Sequence, residues 1–262
     1  MKISYLPQAK INKEKWDHCV ETAGNGLIYA YSFYLDAMSK NWDGLIMDDY
    51  EAVMPLTWNK KYGLCYLYQP FFAAQLGVFG NNLSLSVIRS FLEAIPKRFK
   101  YWDFYLNEKN LYQVPGFPMY ERSNYTLNLD NSYAALSANY AKSHLRNIKR
   151  AGDAGNTLKK NIPVADIILL AREQAKNFSP ISNKDYENFS NLFLILGKKN
   201  MAVTYGIYSS GQQLVSSCGW LFSHGRAYYI LVGNHPNGRT SGASHLMIDH
   251  FIREHAGKKL LL

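Results

Sequence analysis

Asn237-Gly238-Arg239-Thr240-Ser241-Gly242-Ala243-Ser244 is the stretch that decides the fold of this chain. Three strand-like runs precede it, at residues 202–209, 214–222 and 227–232, and helical spacing follows it over Ser244–His255. Glycine lets a ligand approach the backbone closely, and the free N–H groups of a first helical turn attract anions. The sequence therefore predicts a phosphate-binding loop, with an ordinary strand-to-helix connection as the alternative.

The helix after this loop has a polar face formed by His245, Asp249 and Arg253. Asp249 precedes Arg253 by one helical turn, which is the favourable order for an ion pair. His245, His250 and His255 are five residues apart and do not share a helix face, so we expect no metal site here.

Net charge differs between the two halves of the chain. Residues 1–130 contain 13 basic and 13 acidic side chains, whereas residues 131–262 contain 16 and 7 and carry the whole formal charge of +9. Six basic residues lie within Lys142–Lys160, in a segment predicted to be mainly helical from residue 131 and broken by Gly152 and Gly155. Such a surface is either simply solvated or faces the phosphates of a cofactor or a nucleic acid.

The order of predicted elements indicates an α/β fold with mixed, mostly antiparallel sheets flanked by helices. In the first half Ser32 is the predicted N-cap of a helix, and Asn59-Lys60-Lys61 is a predicted turn. The predicted helices cover residues 12–22, 32–40, 84–99, 164–177 and 183–197, and the further predicted strands cover residues 44–47, 50–58, 63–68, 101–106 and 125–129. A boundary between two halves is predicted near Asp130-Asn131-Ser132.

The cysteines and the termini limit the class of protein. Cys19, Cys65 and Cys218 are far apart and form no CxxC pair, which argues against a disulfide framework and a structural zinc site. The N-terminal residues lack the apolar run of a secretory signal, and no stretch approaches the roughly 18 apolar residues of a membrane span. We therefore expect a cytoplasmic protein.

Residues 201–257 resemble the cofactor-binding core of the GCN5-related N-acetyltransferase superfamily, the acyl-CoA N-acyltransferases. The pyrophosphate loop of that family has Arg or Gln, then Gly three residues later, then Gly or Ala two residues after that. Here the loop reads Arg239-Thr240-Ser241-Gly242-Ala243-Ser244, with Ser in place of the final Gly or Ala. The resemblance implies that an acyl-CoA is held through its pyrophosphate and pantetheine by Leu231, Val232, Gly233, Arg239, Ser241, Gly242, Ala243 and Ser244.

The whole chain resembles, more specifically, the FemAB-like branch, in which two such folds stand in tandem. Residues 143–151 are similar to the basic helix of that branch, and residues 233–257 are similar to its loop, helix and closing glycine. The resemblance implies an N-terminal acyltransferase-like lobe at residues 1–130 and a C-terminal lobe at residues 131–262. The family fold continues with a further strand, so we expect the second lobe to be incomplete at Leu262 and the natural product to be longer.

The resemblance implies that catalysis is mostly positioning: an amine attacks a thioester, a base removes a proton and a backbone N–H polarises the carbonyl. The resemblance does not identify the residue that acts as the base. His235 is one candidate, and a solvated loop residue before Pro236 is the alternative interpretation. Contacts with the acceptor are predicted, with core or loop packing as the alternative, for Gln69, Phe71, Gln75, Trp220 and Tyr229.

Three functions stay open at this point. The first is an N-acyltransferase that moves an acyl group such as acetyl from acyl-CoA to a small-molecule or peptide amine. The second is a Fem-like aminoacyl transferase that uses charged tRNA, which Lys142–Lys160 favours, although no sustained heptads indicate the coiled-coil arm of many Fem ligases. The third is a non-catalytic ligand-binding protein. If side chains fill the corner around Ser241, the acyl-CoA hypothesis loses its basis.

Overall fold

The computed structural model describes residues 1–176 and 181–262, and the chain divides into two compact units, residues 1–123 and 124–262. The boundary predicted near Asp130 falls inside the second unit, because the N–H groups of Leu127 and Leu129 donate to Leu262 and Leu260. None of the helices in the described ranges is both long enough and apolar enough to span a membrane.

The first unit is built on a six-stranded sheet. Its strands are β1 (Ile3–Pro7), β2 (Asn41–Met47), β3 (Ala52–Lys61), β4 (Leu64–Tyr68), β5 (Phe79–Gly80) and β6 (Phe99–Asp103). Neighbours follow the order β1-β2-β3-β4-β6, β5 pairs with β3, and only the β4–β6 pair of this sheet is parallel within the described residues. The turn predicted at residues 59–61 is wrong, since these residues complete β3 and the hairpin turns at Tyr62-Gly63, where φ is 50° and 81°.

The helices of the first unit are α1 (Lys13–Thr22), α2 (Ser32–Met38) and α3 (Leu85–Glu93). Ser32, predicted as an N-cap, is the first residue of α2, because its N–H and its hydroxyl both donate to Asp17. The helix predicted to reach residue 99 ends at Glu93, and Phe99 begins β6.

One side of β4 and β6 faces the core that α3 closes. Leu67 and Phe99 are buried there, whereas Leu64 and Tyr101 point away from it and are exposed. In β4 this follows the two-residue period of a strand with one covered face. In β6 the register shifts between the Cys65–Phe99 and Tyr66–Tyr101 pairs, and this bulge turns Tyr101 to the side opposite Phe99.

The second unit contains a four-stranded antiparallel sheet in the order β10-β9-β8-β7. Its strands are β7 (Thr157–Lys160), β8 (Ala202–Tyr208), β9 (Leu214–Ser223) and β10 (Arg226–Asn234). The three strands predicted at residues 202–209, 214–222 and 227–232 are confirmed. Residues 157–160 were predicted to be helical and instead form β7, because the chain turns at Gly155 with φ 70° and then pairs with β8.

The helices of the second unit surround this sheet. They are α4 (Tyr133–Ala138), α5 (Lys142–Asp153), α6 (Val164–Ala175), α7 (Asn183–Lys198), α8 (Pro236–Ser241) and α9 (Ala243–His255). The predicted end of α6 at Asn177 lies outside the described residues. Ser182 and Asp185 form a capping box at the start of α7.

The last residues and the start of the second unit complete its sheet. Leu261 bridges Arg226 of β10 on one side and Asn128 on the other. Residues 125–129, predicted as a strand, join the sheet through this bridge and the neighbouring backbone bonds. In the core Trp220 is fully buried and stacks on Phe251, with ring centroids 3.7 Å apart, which fixes α9 against β9.

Candidate functional site

The predicted phosphate-binding loop is a short helix. Residues 236–241 form α8, with His235 as its N-cap and Pro236 at its first position. The N–H groups of Arg239 and Gly242 donate to the carbonyls of His235 and Gly238. The prediction of an open loop is therefore wrong, and the missed signal was the dipeptide His235-Pro236, which is typical of a helix start.

Two glycines pack α8 and its end closely against their neighbours. A Cβ at Gly238 would lie 2.0 Å from the carbonyl oxygen of Val215, and one at Gly242 would lie 2.5 Å from the carbonyl oxygen of Asn147 in α5. Gly242 has φ 82° and ends α8 in the left-handed conformation. These glycines allow α5, α8 and β9 to pack closely on one another. The close approach that a glycine permits is therefore made here by neighbouring protein groups.

The start of α9 is largely enclosed. Ala243 is fully buried, and the hydroxyl of Ser241 accepts from Asn156 at 3.2 Å. Ser244 is half-buried and Arg239 is exposed. Gly242 and Ala243 are buried and Ser241 is half-buried. Cofactor binding by Arg239, Ser241, Gly242, Ala243 and Ser244 stays a prediction.

A β-bulge interrupts β10 where contacts with pantetheine were predicted. Ile230 pairs with Gly219 and Gly233 pairs with Ser217, so that both intervening residues of β10 lie opposite Cys218. The first of them, Leu231, has φ 48°, which is uncommon for this residue type. The bulge leaves backbone groups of Leu231 and Val232 outside the regular ladder with β9.

Helix α6 covers one side of this bulge. A Cβ at Gly233 would lie 2.6 Å from the backbone nitrogen of Ala171, and the N–H of Asn234 donates to Oε1 of Gln174. Gly233 therefore packs on α6, Leu231 is buried and Val232 is half-buried. Contacts of Leu231, Val232 and Gly233 with a ligand stay a prediction. The packing on α6 favours the backbone around Val232 as the place of such a contact.

Trp220 and Tyr229 differ in access although their rings are neighbours. The ring centroids lie 4.8 Å apart. Trp220 is fully buried and its Nε1 has no hydrogen-bond partner among the described residues, whereas Tyr229 is 36% exposed. Core packing accounts for Trp220, and Tyr229 presents the accessible ring beside the bulge.

Two histidines join α5 to α9. Nδ1 of His144 and Nδ1 of His245 are 2.7 Å apart, and Nδ2 of Asn147 lies 3.1 Å from Nε2 of His245. Oδ1 of Asn147 accepts from Arg150, so its Nδ2 donates to His245, which then carries its own proton on Nδ1 and donates to His144.

Burial lowers the pKa of His245, and His144 and Arg150 lower it further. The two rings form a hydrogen-bonded junction between α5 and α9. Sequence spacing could not reveal it, because the two histidines are 101 residues apart.

A buried carboxylate also anchors α4 and α5 on α9. Asp249 is 2% exposed and accepts from Tyr133 at 2.8 Å and from Tyr140 at 3.2 Å. The predicted ion pair with Arg253 is confirmed at 3.5 Å. The opposite side of α5 displays what we call the α5 basic surface, formed by the exposed side chains of Lys142, Arg146, Lys149 and Arg150.

His235 is a helix cap. Its Nδ1 accepts from the N–H of Asn237 at 3.1 Å, and its backbone N–H donates to Val215. Its remaining ring nitrogen, Nε2, lies 3.3 Å from Gln213. A role as catalytic base stays a prediction.

The predicted acceptor-binding loop belongs to the first unit, and hydrogen bonds of its own glutamine side chains hold it in place. Gln69 donates to the carbonyl of Ala73 at 2.6 Å and accepts from the N–H of Tyr105 at 2.9 Å. Gln75 accepts from the N–H of Glu108 at 3.0 Å. Phe71 is 37% exposed, so it alone of the three predicted residues offers an uncommitted side chain; acceptor binding by this loop stays a prediction.

Solved structures share this fold over most of the chain. FemX aligns with 100% of this chain and 88% of its own at 12% identity, with a TM-score of 0.67. A conserved protein from Bacteroides thetaiotaomicron covers the same shares at 9% identity and a TM-score of 0.58. L-PGS from Bacillus licheniformis aligns with 92% of this chain and 72% of its own at 14% identity, with a TM-score of 0.54. The fold is that of the tandem acyltransferases.

No family profile matches the sequence, and no curated protein matches it. At these identities the likeness is one of fold. The tandem α/β acyltransferase fold expected from the sequence is thus confirmed, and donor, acceptor and catalytic residues are matters for the site itself.

Proposed function

We propose that this chain is a Fem-like aminoacyl transferase, which moves an amino acid from the ester of a charged tRNA to an amine acceptor. The full-length likeness to FemX supports this proposal, as does the likeness to L-PGS, an aminoacyl-phosphatidylglycerol synthetase. The α5 basic surface adds support, because exposed Lys and Arg side chains are the usual contacts for RNA phosphates.

One observation carries the choice of this donor over acyl-CoA. A bound diphosphate needs several convergent backbone N–H groups at the start of a helix. Here the amides of Arg239 and Gly242 are bonded within α8, and Gly242 lies against the backbone of Asn147. This packing beside α8 supports charged tRNA over acyl-CoA as the donor.

The transfer itself requires positioning more than reactive side chains. The amine nitrogen attacks the ester carbonyl and forms the C–N bond, the C–O bond to the ribose breaks, and the ribose oxygen receives a proton lost by the nitrogen. A backbone N–H directed outward by the bulge at Leu231–Val232 is the proposed donor to the oxyanion. Tyr229 is the proposed wall for the acceptor amine, a small molecule or a peptide.

Acyl-CoA is the second candidate donor, in an N-acyltransferase. The observation that favours it is the position of the exposed Arg239 and the half-buried Ser244 on either side of the start of α9. In that case the pyrophosphate would meet one guanidinium and the first turn of α9.

Filter binding of tRNA to the full chain over a salt series tests the proposal. We expect log K to fall linearly with log salt, by roughly 0.7–0.9 per phosphate contact. Replacing Arg146 and Lys149 together by Ala should reduce this slope by roughly 1.4–1.8 and weaken binding at low salt. Lys198→Ala, which removes an exposed charge at the end of α7, is the matched control and should bind like the wild type. Weak binding that does not depend on salt would contradict the proposal.

A further inference from the structure

We propose that the first unit carries a stacking face for single-stranded RNA. The face is formed by Lys61 of β3, Leu64 and Tyr66 of β4, Tyr101 of β6 and the hairpin tip residue Tyr62. The proposal rests on the proposed function in that it takes RNA as the ligand, and it adds a contact that the α5 basic surface does not supply.

Strand register places these side chains together. Lys61 is paired with Leu64 across the β3–β4 hairpin, and Tyr66 is paired with Tyr101 across the β4–β6 ladder. Leu67, which alternates with Tyr66 in β4, is buried in the core. Phe99 is buried as well, and the bulge between Phe99 and Tyr101 turns Tyr101 to the opposite side of the sheet. The five residues therefore occupy the outer side of the sheet and the tip of its hairpin.

The exposure of this face is unusual for its residue types. Tyr62 is 91% exposed, Tyr101 is 63% exposed and Leu64 is 60% exposed. Single exposed apolar residues need no explanation, but adjacent ones on one sheet surface are typical of a binding site. The tyrosines present flat rings, on which bases of any sequence can stack.

The charges around these rings favour an anionic ligand. The Nζ atom of Lys61 lies 5.4 Å from the centroid of the Tyr62 ring, and Lys100 is exposed next to Tyr101. Lys60 is exposed as well, but it alternates with Lys61 and belongs to the other side of the sheet. The exposed carboxylate of Asp103 lies at the far end of β6. Rings between lysines match the alternation of bases and phosphates in a single strand.

Two other occupants fit this surface less well. A two-fold symmetric contact with a second copy would bring the lysines of one face toward those of the other, which like-charge repulsion opposes. A surface that inserts into a membrane presents mainly aliphatic and aromatic side chains, and here Leu64 is the aliphatic one of the five. The geometry thus favours single-stranded RNA.

Fluorescence anisotropy with a labelled oligocytidine RNA of about 12 nucleotides tests the proposal on the full chain. Tyr101→Ala should weaken binding roughly tenfold, whereas Tyr101→Phe, which keeps a ring, should stay within about twofold of the wild type. Tyr120→Ala is the matched control, because Tyr120 is a tyrosine of the same unit, is 90% exposed and lies outside the face. Circular dichroism establishes that each variant is folded.

Unchanged binding in folded Tyr101→Ala, or an equal loss in Tyr120→Ala, would overturn the proposal. So would a dimer in sedimentation that Tyr101→Ala dissociates, since the face would then be an interface between copies. A failure of the proposed function is seen separately, as absent aminoacyl transfer from charged tRNA while oligonucleotide binding still depends on Tyr101. If aminoacyl transfer is intact but RNA binding does not depend on Tyr101, only this inference is overturned.

Discussion

Gly242 and Gly257 both have a positive φ, of 82° and 79°, but different surroundings. Gly242→Ala adds left-handed strain and a Cβ that would lie 2.5 Å from the Asn147 carbonyl oxygen. We expect it to lower the free energy of unfolding by about 2–4 kcal/mol. Gly257→Ala meets nothing within 4 Å and should cost about 1 kcal/mol. Urea unfolding measures both, and equal losses would contradict the close packing of Gly242 on α5.

From the surroundings of His245 we predict that the folded protein loses stability on the acid side of neutrality. Its pKa in the folded protein lies below the ordinary value of 6.5, so the unfolded chain binds more protons between these two values. The stability that the neutral form of His245 contributes is fully present above pH 6.5. It is lost as the pH falls through the pKa of His245 in the folded protein. In urea titrations across this range, His245→Gln should flatten the dependence on pH, whereas His18→Gln, at an exposed position of α1, should not. An unchanged profile for His245→Gln would show that the His144–His245 junction does not form.

Sequence reasoning could name residue types at this scale but not their neighbours. It selected Arg239, Ser244 and Tyr229, which the fold leaves at least partly accessible. It could not tell that Gly242 contacts Asn147 or that His245 pairs with His144, because these partners are distant in sequence and only packing brings them together.

At the level of elements, α4, α5 and α9 depend on one carboxylate. Asp249→Asn keeps the volume of the side chain but removes the charge beside Arg253 and places an NH2 group among hydroxyl donors. We expect a loss of about 3 kcal/mol in the free energy of unfolding. Asp153→Asn, at an exposed position of α5, should change it by less than about 0.5 kcal/mol. Denaturant titrations of the two variants test this, and similar midpoints would show that the buried network contributes little.

Elements with a clear period were predictable and irregular ones were not. The strand-like runs of β8, β9 and β10 and the apolar spacing of α9 led to confirmed elements. β7 is short, exposed and basic, so its place in the sheet comes from pairing with β8 rather than from its residues. The bulge in β10 has no local signature, because it depends on register against β9.

At the level of the whole molecule, the two units follow from the element order and from the resemblance to tandem acyltransferases. The domain boundary near residue 130 stays a prediction. The compact units divide between residues 123 and 124, since Leu127 and Leu129 pair with Leu262 and Leu260, a contact that only the folded unit reveals. The excess of basic residues in the second half identified the segment that became the α5 basic surface. The donor could not be predicted, since the motif for a pyrophosphate loop folds here as a helix.

Thermal denaturation of the full chain with acetyl-CoA or with charged tRNA tests the choice of donor most directly. A ligand that binds only the native state raises Tm by mass action. We predict a rise with charged tRNA at low salt and no rise with acetyl-CoA at about 1 mM. An increase of several degrees with acetyl-CoA that Arg239→Ala removes would contradict the proposed donor and assign the protein to acyl-CoA chemistry.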